Sequence, residues 1–330
     1  DQAGAAASYG IMATGDNDGG TTTQRCSITG NIIYDIKSWD GIMSHDVTNL
    51  IIASNHITDV RMGIDVSCFL NTNDIDKVII NGNYIQATTT DTWSAAGAAH
   101  YGITVSGSEH ATPALISNVS ITNNILNNFN NLSGGVHAGT NPSAISLRQC
   151  GDGLIANNLI SDLGSAAAAA NYTAISVYQP QDNISVTGNS ASGTYTTYLV
   201  RVQHADAAHT CAGVMIANNQ NTSTAINNMV LFHTGTYTGV SVTNNGTVTT
   251  DKSVLLSSAT VTYVYGGVTA LANNATPPIY GGATFFTTGG TTTITDFDNG
   301  TVGQTITILS DCLLYTSPSP RDATLEGKAG

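Results

Sequence analysis

The sequence predicts an all-β chain folded as a right-handed parallel β-helix, a solenoid in which each coil stacks on the one before it. Three observations lead to this fold class. A four-residue motif recurs along the chain, and a second short apolar segment recurs between its copies. Only 9% of the 330 residues are charged, so amides and hydroxyls supply most of the polarity. Such a pattern is typical of repeat architectures.

The recurring motif is Ile or Val, any residue, a small polar residue and then Asn. The distance between successive copies varies from 24 to 41 residues, which indicates one structural unit with loops of different length. We expect each motif Asn to occupy a corner in the left-handed αL conformation, which Asn tolerates. We also expect the stacked Asn side chains to bond to one another as an amide ladder. The eight copies end at Asn31, Asn55, Asn83, Asn124, Asn158, Asn189, Asn219 and Asn245.

The second apolar segment alternates apolar and polar residues with a period of two, which predicts a β-strand. Strands this short cannot bury a face alone, so each must pair in parallel with its copies in neighbouring coils. Leucine-rich repeats, propellers and β-sandwiches do not explain one landmark repeated eight times. Each coil therefore holds at least two strands. The copies of this segment lie at residues 10–12, 41–43, 63–66, 102–105, 144–147, 174–177, 198–202 and 229–232.

The charge balance limits the possible partners. Like charges stacked about 4.8 Å apart would repel, which explains the low charge content. A net charge of −13 argues against nucleic-acid partners, which need a basic face, and against docking on an anionic membrane. No apolar run approaches 18 residues, so no transmembrane helix is expected. The His residues do not cluster at metal-ligand spacing, and neither a metal nor a cofactor is expected.

The four cysteines before residue 312 are too widely spaced for a zinc pattern or a small disulfide framework. Cys68 and Cys150 lie two coils apart, which places them about 10 Å from each other, beyond bridging distance. Cys26 and Cys211 lie further apart still. We therefore predict four free thiols that behave as small apolar side chains.

The chain divides into three predicted parts. Residues 1–265 hold the repeats and form the β-helix, and residues 266–311 form a short, truncated β-rich connector. Cys312 to Asp322 matches a translated adapter used in sequencing libraries. Residues 312–330 are therefore expected to be non-native sequence, disordered or without a defined fold.

Residues 9–265, with their Asn-terminated repeats, resemble the pectate-lyase-like β-helix superfamily. Residues 275–286 and 292–309 resemble a segment that follows the β-helix in many phage tail spikes and tail fibres. This resemblance implies a phage tailspike-type protein, on the virion or extracellular, that acts on a bacterial capsule or O-antigen polysaccharide. It also implies a homotrimer in the full-length protein. The chain breaks off inside the second segment, which puts trimerisation of this chain in doubt.

Two other functions fit the same fold. One is a non-enzymatic β-helix adhesin or structural protein. The other is a secreted pectinase-like polysaccharide lyase or glycoside hydrolase. The sequence leaves these alternatives open.

Candidate binding residues follow from the register of the second strand. With Ile64 and Val66 pointing inward, Asp65 and Ser67 point outward. Stacked outward positions would form a long surface suited to an extended sugar chain. Arg can bind sugar carboxylates, and aromatic rings can stack on sugar faces. The register predicts one polar stripe, comprising His45, Ser67, Ser106, Arg148, Tyr178, Gln203 and His233. The predicted substrate-binding residues are Arg148, Tyr178, Arg201, Gln203, His233 and Trp93.

Candidate catalytic residues depend on the mechanism. A glycosidase needs two carboxyls about 5 to 10 Å apart, and Asp65, Asp91 and Glu109 are the candidates. Asp91 and Glu109 lie in the longest insertion, residues 86–114, together with Trp93. A lyase instead needs a base beside a neutralised uronate, and Arg148, Arg201, Tyr178 or His204 would serve. The remaining candidates, Asp35, Asp40, Asp59 and Asp162, are interpreted as turn residues.

Overall fold

The structure is a computed structural model of the chain. It describes residues 9–15, 23–68, 74–87, 101–107, 115–129, 143–163, 173–193, 198–205, 208–222, 228–243, 245–247, 254–261, 264–265, 268–271, 284–287 and 307–309. These residues form a right-handed parallel β-helix, so the predicted fold class is confirmed. No helix in the described part of the chain is long and apolar enough to cross a membrane.

Three parallel sheets run along the solenoid, one more than the two strands per coil that the sequence required. Sheet 1 carries the Asn-terminated motifs. Its strands are β2 (Thr23–Thr29), β4 (Val47–Ala53), β6 (Ile75–Asn81), β9 (Ile116–Thr122), β12 (Cys150–Ala156), β15 (Asp182–Thr187), β18 (Thr210–Ala217), β21 (Val240–Thr243) and β24 (Val264–Tyr265).

Sheet 2 begins just after each motif Asn. It consists of the first parts of β3 (Ile32–His45) and β5 (His56–Ser67), followed by β7 (Tyr84–Ala87), β10 (Ile125–Asn127), β13 (Leu159–Leu163), β16 (Ser190–Gly193), β19 (Gln220–Asn221) and β22 (Gly246–Thr247). Its outward positions include exposed apolar residues such as Ile32 and Leu159. Because both faces are then partly apolar, alternation gave no clear signal for this strand.

Sheet 3 contains the second segment found in the sequence. It consists of β1 (Ile11–Thr14), the last parts of β3 and β5, β8 (Ile103–Ser106), β11 (Ser143–Arg148), β14 (Thr173–Tyr178), β17 (Tyr198–Gln203), β20 (Asn228–Thr238) and β23 (Val254–Val261). The end of β20 continues round the corner to pair with β18 in sheet 1. A separate parallel sheet contains β25 (Val268–Leu271), β26 (Thr284–Thr287) and β27 (Thr307–Leu309).

The core is a set of stacked inward rows contributed by all three sheets. One row of sheet 3 pairs Ile42, Ile64, Ile103, Ile145 and Ile175 in successive coils, and each is almost fully buried. The glycine that precedes several of these residues also faces the core. A Cβ on Gly63 would collide with the carbonyl of Gly102 and the side chain of Ile85, so the close packing of sheet 2 on sheet 3 requires glycine there.

The amide ladder is present through all eight motif asparagines. In each step, the backbone N–H and the side-chain Nδ2 of one Asn both donate to Oδ1 of the next. For Asn55 and Asn83 these distances are 3.0 Å and 2.9 Å. Nδ2 also donates to a backbone carbonyl of the preceding coil, as Asn83 does to Ile52 at 2.9 Å. The same arrangement links every pair from Asn31 to Asn245, which confirms the predicted ladder.

The predicted αL conformation of these asparagines is wrong by one residue. None of the seven from Asn31 to Asn219 has a positive φ, whereas the residue before each of these seven does; the residue before Asn245 lies outside the described residues. This preceding position makes the bend, so it holds Gly, Ser or Asn, the residues for which αL is least unfavourable. The ladder Asn follows the bend with its amide free to reach along the axis. The bend residues and their φ values are Gly30 (70°), Ser54 (55°), Gly82 (64°), Asn123 (56°), Asn157 (54°), Gly188 (65°) and Asn218 (55°).

The cysteine prediction is confirmed. Cys26, Cys68, Cys150 and Cys211 are free thiols, and all but Cys26 are buried. Burial raises the pKa of the Cys211 thiol to about 12 and moves the pKa of Cys150 in the same direction. Neither is therefore a reactive thiolate.

Removing one amide from the middle of the ladder should destabilise the fold. Asn158→Ala removes the acceptor for the N–H and Nδ2 of Asn124 and the donor to the Ile121 carbonyl. Because these groups are buried, we expect a loss of about 2–5 kcal/mol of unfolding free energy in urea denaturation. Asn31→Ala is the matched control at the ladder end, where the bonds lost among the described residues are the two donated by Nδ2; we expect a loss of about 1 kcal/mol. Equal losses would contradict the ladder as a source of stability.

Relieving backbone strain at a bend should stabilise the fold. Ser54 is exposed with a φ of 55°, and Gly occupies the same position in three other coils. We expect Ser54→Gly to raise the unfolding free energy by about 0.5–1 kcal/mol. Ser120 lies in β9 and does not have a positive φ, so Ser120→Gly should lower the unfolding free energy by a similar amount. A fall in the melting temperature of Ser54→Gly would contradict this account.

Candidate functional site

The outward face of sheet 3 carries the predicted polar stripe in the predicted register. Parallel pairing aligns His45 with Ser67, Ser67 with Ser106, and Ser106 with Arg148. It continues from Arg148 to Tyr178, Gln203 and His233. A second outward row runs beside it and comprises Asp65, Thr104, Ser146, Ser176, Arg201 and Leu231. The stacking therefore places polar groups from seven coils on one face.

The outward rows of the other two sheets are different in character. Sheet 1 exposes Ile51, Ile79 and Leu154, and sheet 2 exposes Ile32 and Leu159. Both sheets also carry titratable side chains, such as Asp76 and His56, but burial shifts the pKa of residues in both outward rows of sheet 3, including Asp65 and Arg148. This makes the outward face of sheet 3 the candidate site.

Much of this face is covered rather than open. Arg148 is only 2% exposed, and Ser146, Ser176 and Tyr178 are also buried. Asp65, Gln203 and His233 are partly exposed. The predicted long surface is therefore not exposed to solvent along its whole length. The partly exposed positions are where a ligand can touch described side chains.

Arg148 is held inside this face by aromatic and charged neighbours. Its guanidinium carbon lies 5.2 Å from the centre of the Tyr178 ring, a cation–π distance. Burial lowers the pKa of Arg148, and Tyr101, Tyr178 and Asp65 oppose that shift. The stacking of coils brings these groups together from four different strands or their flanks.

Asp65 is the predicted catalytic residue whose surroundings are described. Burial of its carboxyl raises its pKa to about 7, although the charge of Arg148 acts in the opposite direction. A carboxyl with a pKa near neutrality can donate or accept a proton at physiological pH. The Asp65 carboxyl is thus suited to acid–base chemistry.

The prediction that Asp40 is a turn residue is wrong: Asp40 lies in β3, is 0% exposed, and has no positive φ. Asp35, Asp59 and Asp162, also predicted as turn residues, lie within strands as well, but each of them has a positive φ. Neither carboxyl oxygen of Asp40 has a hydrogen-bond partner in the described part of the chain.

The electrostatics of Asp40 link it to Asp65. Burial, and then the charge of Asp65, raise the pKa of Asp40 to about 9, whereas Arg61 lowers it. The pKa of Tyr9 is also raised, by burial and by both carboxyls. At strand spacings, the two Cα atoms lie about 11 Å apart on adjacent coils. Asp40 and Asp65 therefore form a carboxyl pair in which Asp40 stays protonated at neutral pH.

Alternation in the sequence does not reveal Asp40. Asp40 pairs with Met62 in the next coil, three residues before Asp65. Strict alternation from Met43 would place Gly41 outward, whereas Gly41 faces the core side chains of Ile57 and Val60, so the outward rows do not extend to Asp40. What the sequence could not show was its burial, which depends on contacts between coils.

A second group of polar residues lies toward the C-terminal end of sheet 3. Tyr237 is buried and its hydroxyl donates to the carbonyl of Thr234 at 2.8 Å. The ring of His204 packs against Tyr237 at 5.1 Å and stacks on His209 at 5.8 Å. The pKa of His233 is lowered, first by burial and then by the charge of Arg201. His204, proposed above as a lyase base, is 1% exposed.

Three predicted site residues, Asp91, Trp93 and Glu109, lie outside the described residues. Within the described ranges, no group of three or more His, Cys, Asp or Glu side chains is arranged to hold a metal ion. The described part of the candidate site therefore consists of Asp40 and Asp65 with the buried arginines and tyrosines around them.

Comparisons of the chain with protein-family models, with curated proteins and with solved structures gave no match.

The buried carboxyl of Asp40 should make stability depend on pH. The folded state keeps its proton up to about pH 9, whereas the unfolded chain releases it near pH 4. Raising the pH through this window therefore destabilises the folded state by about 1.4 kcal/mol per pH unit for each retained proton. We expect Asp40→Asn to be more stable than the parent at pH 8, with the difference shrinking toward pH 4. Urea unfolding at several pH values measures this.

Asp162→Asn is the control for loss of a carboxyl. Asp162 is exposed and has a φ of 53°, and Asn tolerates this backbone conformation. Its pH profile should match that of the parent. If Asp40→Asn also follows the parent at every pH, Asp40 is ionised in the folded state and the proposed pair does not exist.

Proposed function

We propose that the chain recognises an extended bacterial surface polysaccharide along the outward face of sheet 3 and cleaves it with Asp65 as the acid–base group. The observation that carries this proposal is Asp65, a partly exposed residue of a stacked polar face whose carboxyl has its pKa raised by burial to about 7. The parallel β-helix is compatible with polysaccharide binding, because its coils repeat at about 4.8 Å and offer an elongated surface.

The chemistry assigned to Asp65 is proton transfer at a glycosidic bond. The protonated carboxyl gives its proton to the glycosidic oxygen as the bond to the anomeric carbon breaks. Water then adds to that carbon and gives up a proton to a second carboxylate. General acid catalysis of this kind contributes about 10²–10⁴ in rate. The sequence offers Asp91 and Glu109 as candidates for the second carboxyl.

Asp40 and Arg148 are positioning residues in this scheme. Both are almost fully buried, so they act on the substrate through Asp65. Arg148 favours the ionised form of Asp65, and burial favours the protonated form, so the two effects together hold its pKa near neutrality. A carboxyl in this balance can supply and recover a proton in one catalytic cycle.

A tailspike-like protein is the biological setting that we propose. It is supported by the tailspike-like segment at residues 275–309, by the low charge content and by the β-helix itself. In this setting the full-length protein is a homotrimer located on the virion or outside the cell.

A non-enzymatic adhesin or structural β-helix is the second candidate function. The burial of Arg148, Ser146 and Tyr178 favours this function. A buried polar network can rigidify the stacked coils without contacting any ligand. The two candidates differ in one respect, namely whether Asp65 is needed for turnover.

The decisive experiment incubates the protein with a panel of bacterial capsules and O-antigens. We expect the parent to generate new chain ends and Asp65→Asn to reduce that rate by about 10²-fold or more, with binding retained. Reducing ends without ultraviolet-absorbing unsaturated ends indicate hydrolysis, and unsaturated ends indicate a lyase. Asp162→Asn should behave as the parent. Binding without new ends in any sample would favour the adhesin, and no binding would reject the proposal.

A further inference from the structure

Arg201 is a buried cation without a counter-charge among the described residues. Its side chain lies in β17 and is 7% exposed. The Nε atom is buried and has no hydrogen-bond partner in the part of the chain that the structure describes. Its electrostatic neighbours are Tyr198, Tyr237 and Tyr178, and no carboxylate is among them.

The other two buried arginines of this face are in a different situation. Arg61 acts on Asp40, and Arg148 acts on Asp65, so each has a carboxyl group in its neighbourhood. The neighbour of Arg201 in the next coil is Leu231, and His233 beyond it has its pKa lowered by the same guanidinium. Among the described residues, the surroundings of Arg201 therefore contain tyrosine rings and an imidazole but no acid.

An isolated buried cation is unfavourable, because it loses hydration without gaining an opposite charge. Arg cannot relieve this by losing its proton within the range in which proteins fold. A planar guanidinium binds the oxygens of a carboxylate or sulfate through two parallel hydrogen bonds. An anionic group of a ligand would thus supply the counter-charge that the described residues lack.

We propose that Arg201 anchors an oxyanion, a carboxylate or a sulfate, carried by the polysaccharide, which makes the substrate an acidic glycan. This inference rests on the proposed function and specifies its substrate. Arg201 lies in the same outward row as Asp65, four coils further along, or about 19 Å. The anion site is therefore separate from the point of cleavage and fixes the register of the chain along sheet 3. Tyr178 and Tyr198 are its electrostatic neighbours from the preceding coil and from the same strand.

The test compares an acidic polysaccharide cleaved by the protein with the same polymer after its carboxyls are reduced to alcohols. Binding is measured by titration calorimetry for the parent, Arg201→Gln and Arg201→Lys. We expect Arg201→Gln to weaken binding of the acidic polymer by roughly tenfold or more and to leave binding of the reduced polymer unchanged. Arg201→Lys keeps the charge but not the planar guanidinium. Its affinity for the acidic polymer should therefore lie between that of the parent and that of Arg201→Gln. A desulfated polymer, used in the same way, distinguishes sulfate from carboxylate.

Arg25→Gln is the matched control, because Arg25 is an exposed arginine on sheet 1 and should not affect binding. Arg201→Gln removes an unpaired buried charge, so its melting temperature should equal or exceed that of the parent, and lost binding cannot then be ascribed to misfolding. Equal weakening for the acidic and reduced polymers, or less than about a twofold effect on both, would overturn the inference.

Glucuronate and inorganic sulfate serve as probes that do not depend on cleavage. Either one should raise the melting temperature of the parent and have a smaller effect on Arg201→Gln. If no polysaccharide is cleaved but this difference persists, the proposed function fails and the anion site stands. If cleavage depends on Asp65 but neither probe nor polymer distinguishes Arg201→Gln from the parent, the function stands and the anion site fails.

Discussion

The structure depends on the parallel stacking of identical positions at the strand spacing, and the amide ladder is the interaction that holds that stacking in register. Each ladder Asn between the two ends bonds to the next Asn and to a carbonyl of the preceding coil, as Asn55 does. A slip of one residue would break all of these bonds and turn the inward apolar rows outward. Eight such residues specify which positions of each coil lie above one another, despite loops of very different length between them.

This register has a direct effect on the chemistry of sheet 3. Stacking leaves little room for charge, since like charges repel at this spacing. The few ionisable groups on the sheet are therefore strongly affected by burial. Asp40 and Asp65 both have raised pKa values because they are desolvated, and the arginines near them only partly offset this. In a chain with so few charges, a buried carboxyl pair and an arginine without a carboxylate are unusual features of one face.

Parts of the candidate site could be predicted from alternation alone. Once Ile64 and Val66 are placed inward, the alignment of Ser106, Arg148 and Tyr178 follows. Other parts could not be predicted. Asp40 sits among Gly and Trp in the sequence and looks like part of a turn. Its burial arises from neighbouring coils that are distant in sequence, such as the one that carries Met62.

The sequence by itself determined the repeat, the ladder and the direction in which each strand faces, because these are local and periodic properties of the chain. It did not determine the third strand of each coil, whose outward face is apolar, nor that the bend residue precedes the ladder Asn. Only the tertiary structure decided which polar groups lose contact with water. Burial is a property of how coils and their side chains pack, and it is burial that separates Arg201 and Asp65 from ordinary surface residues.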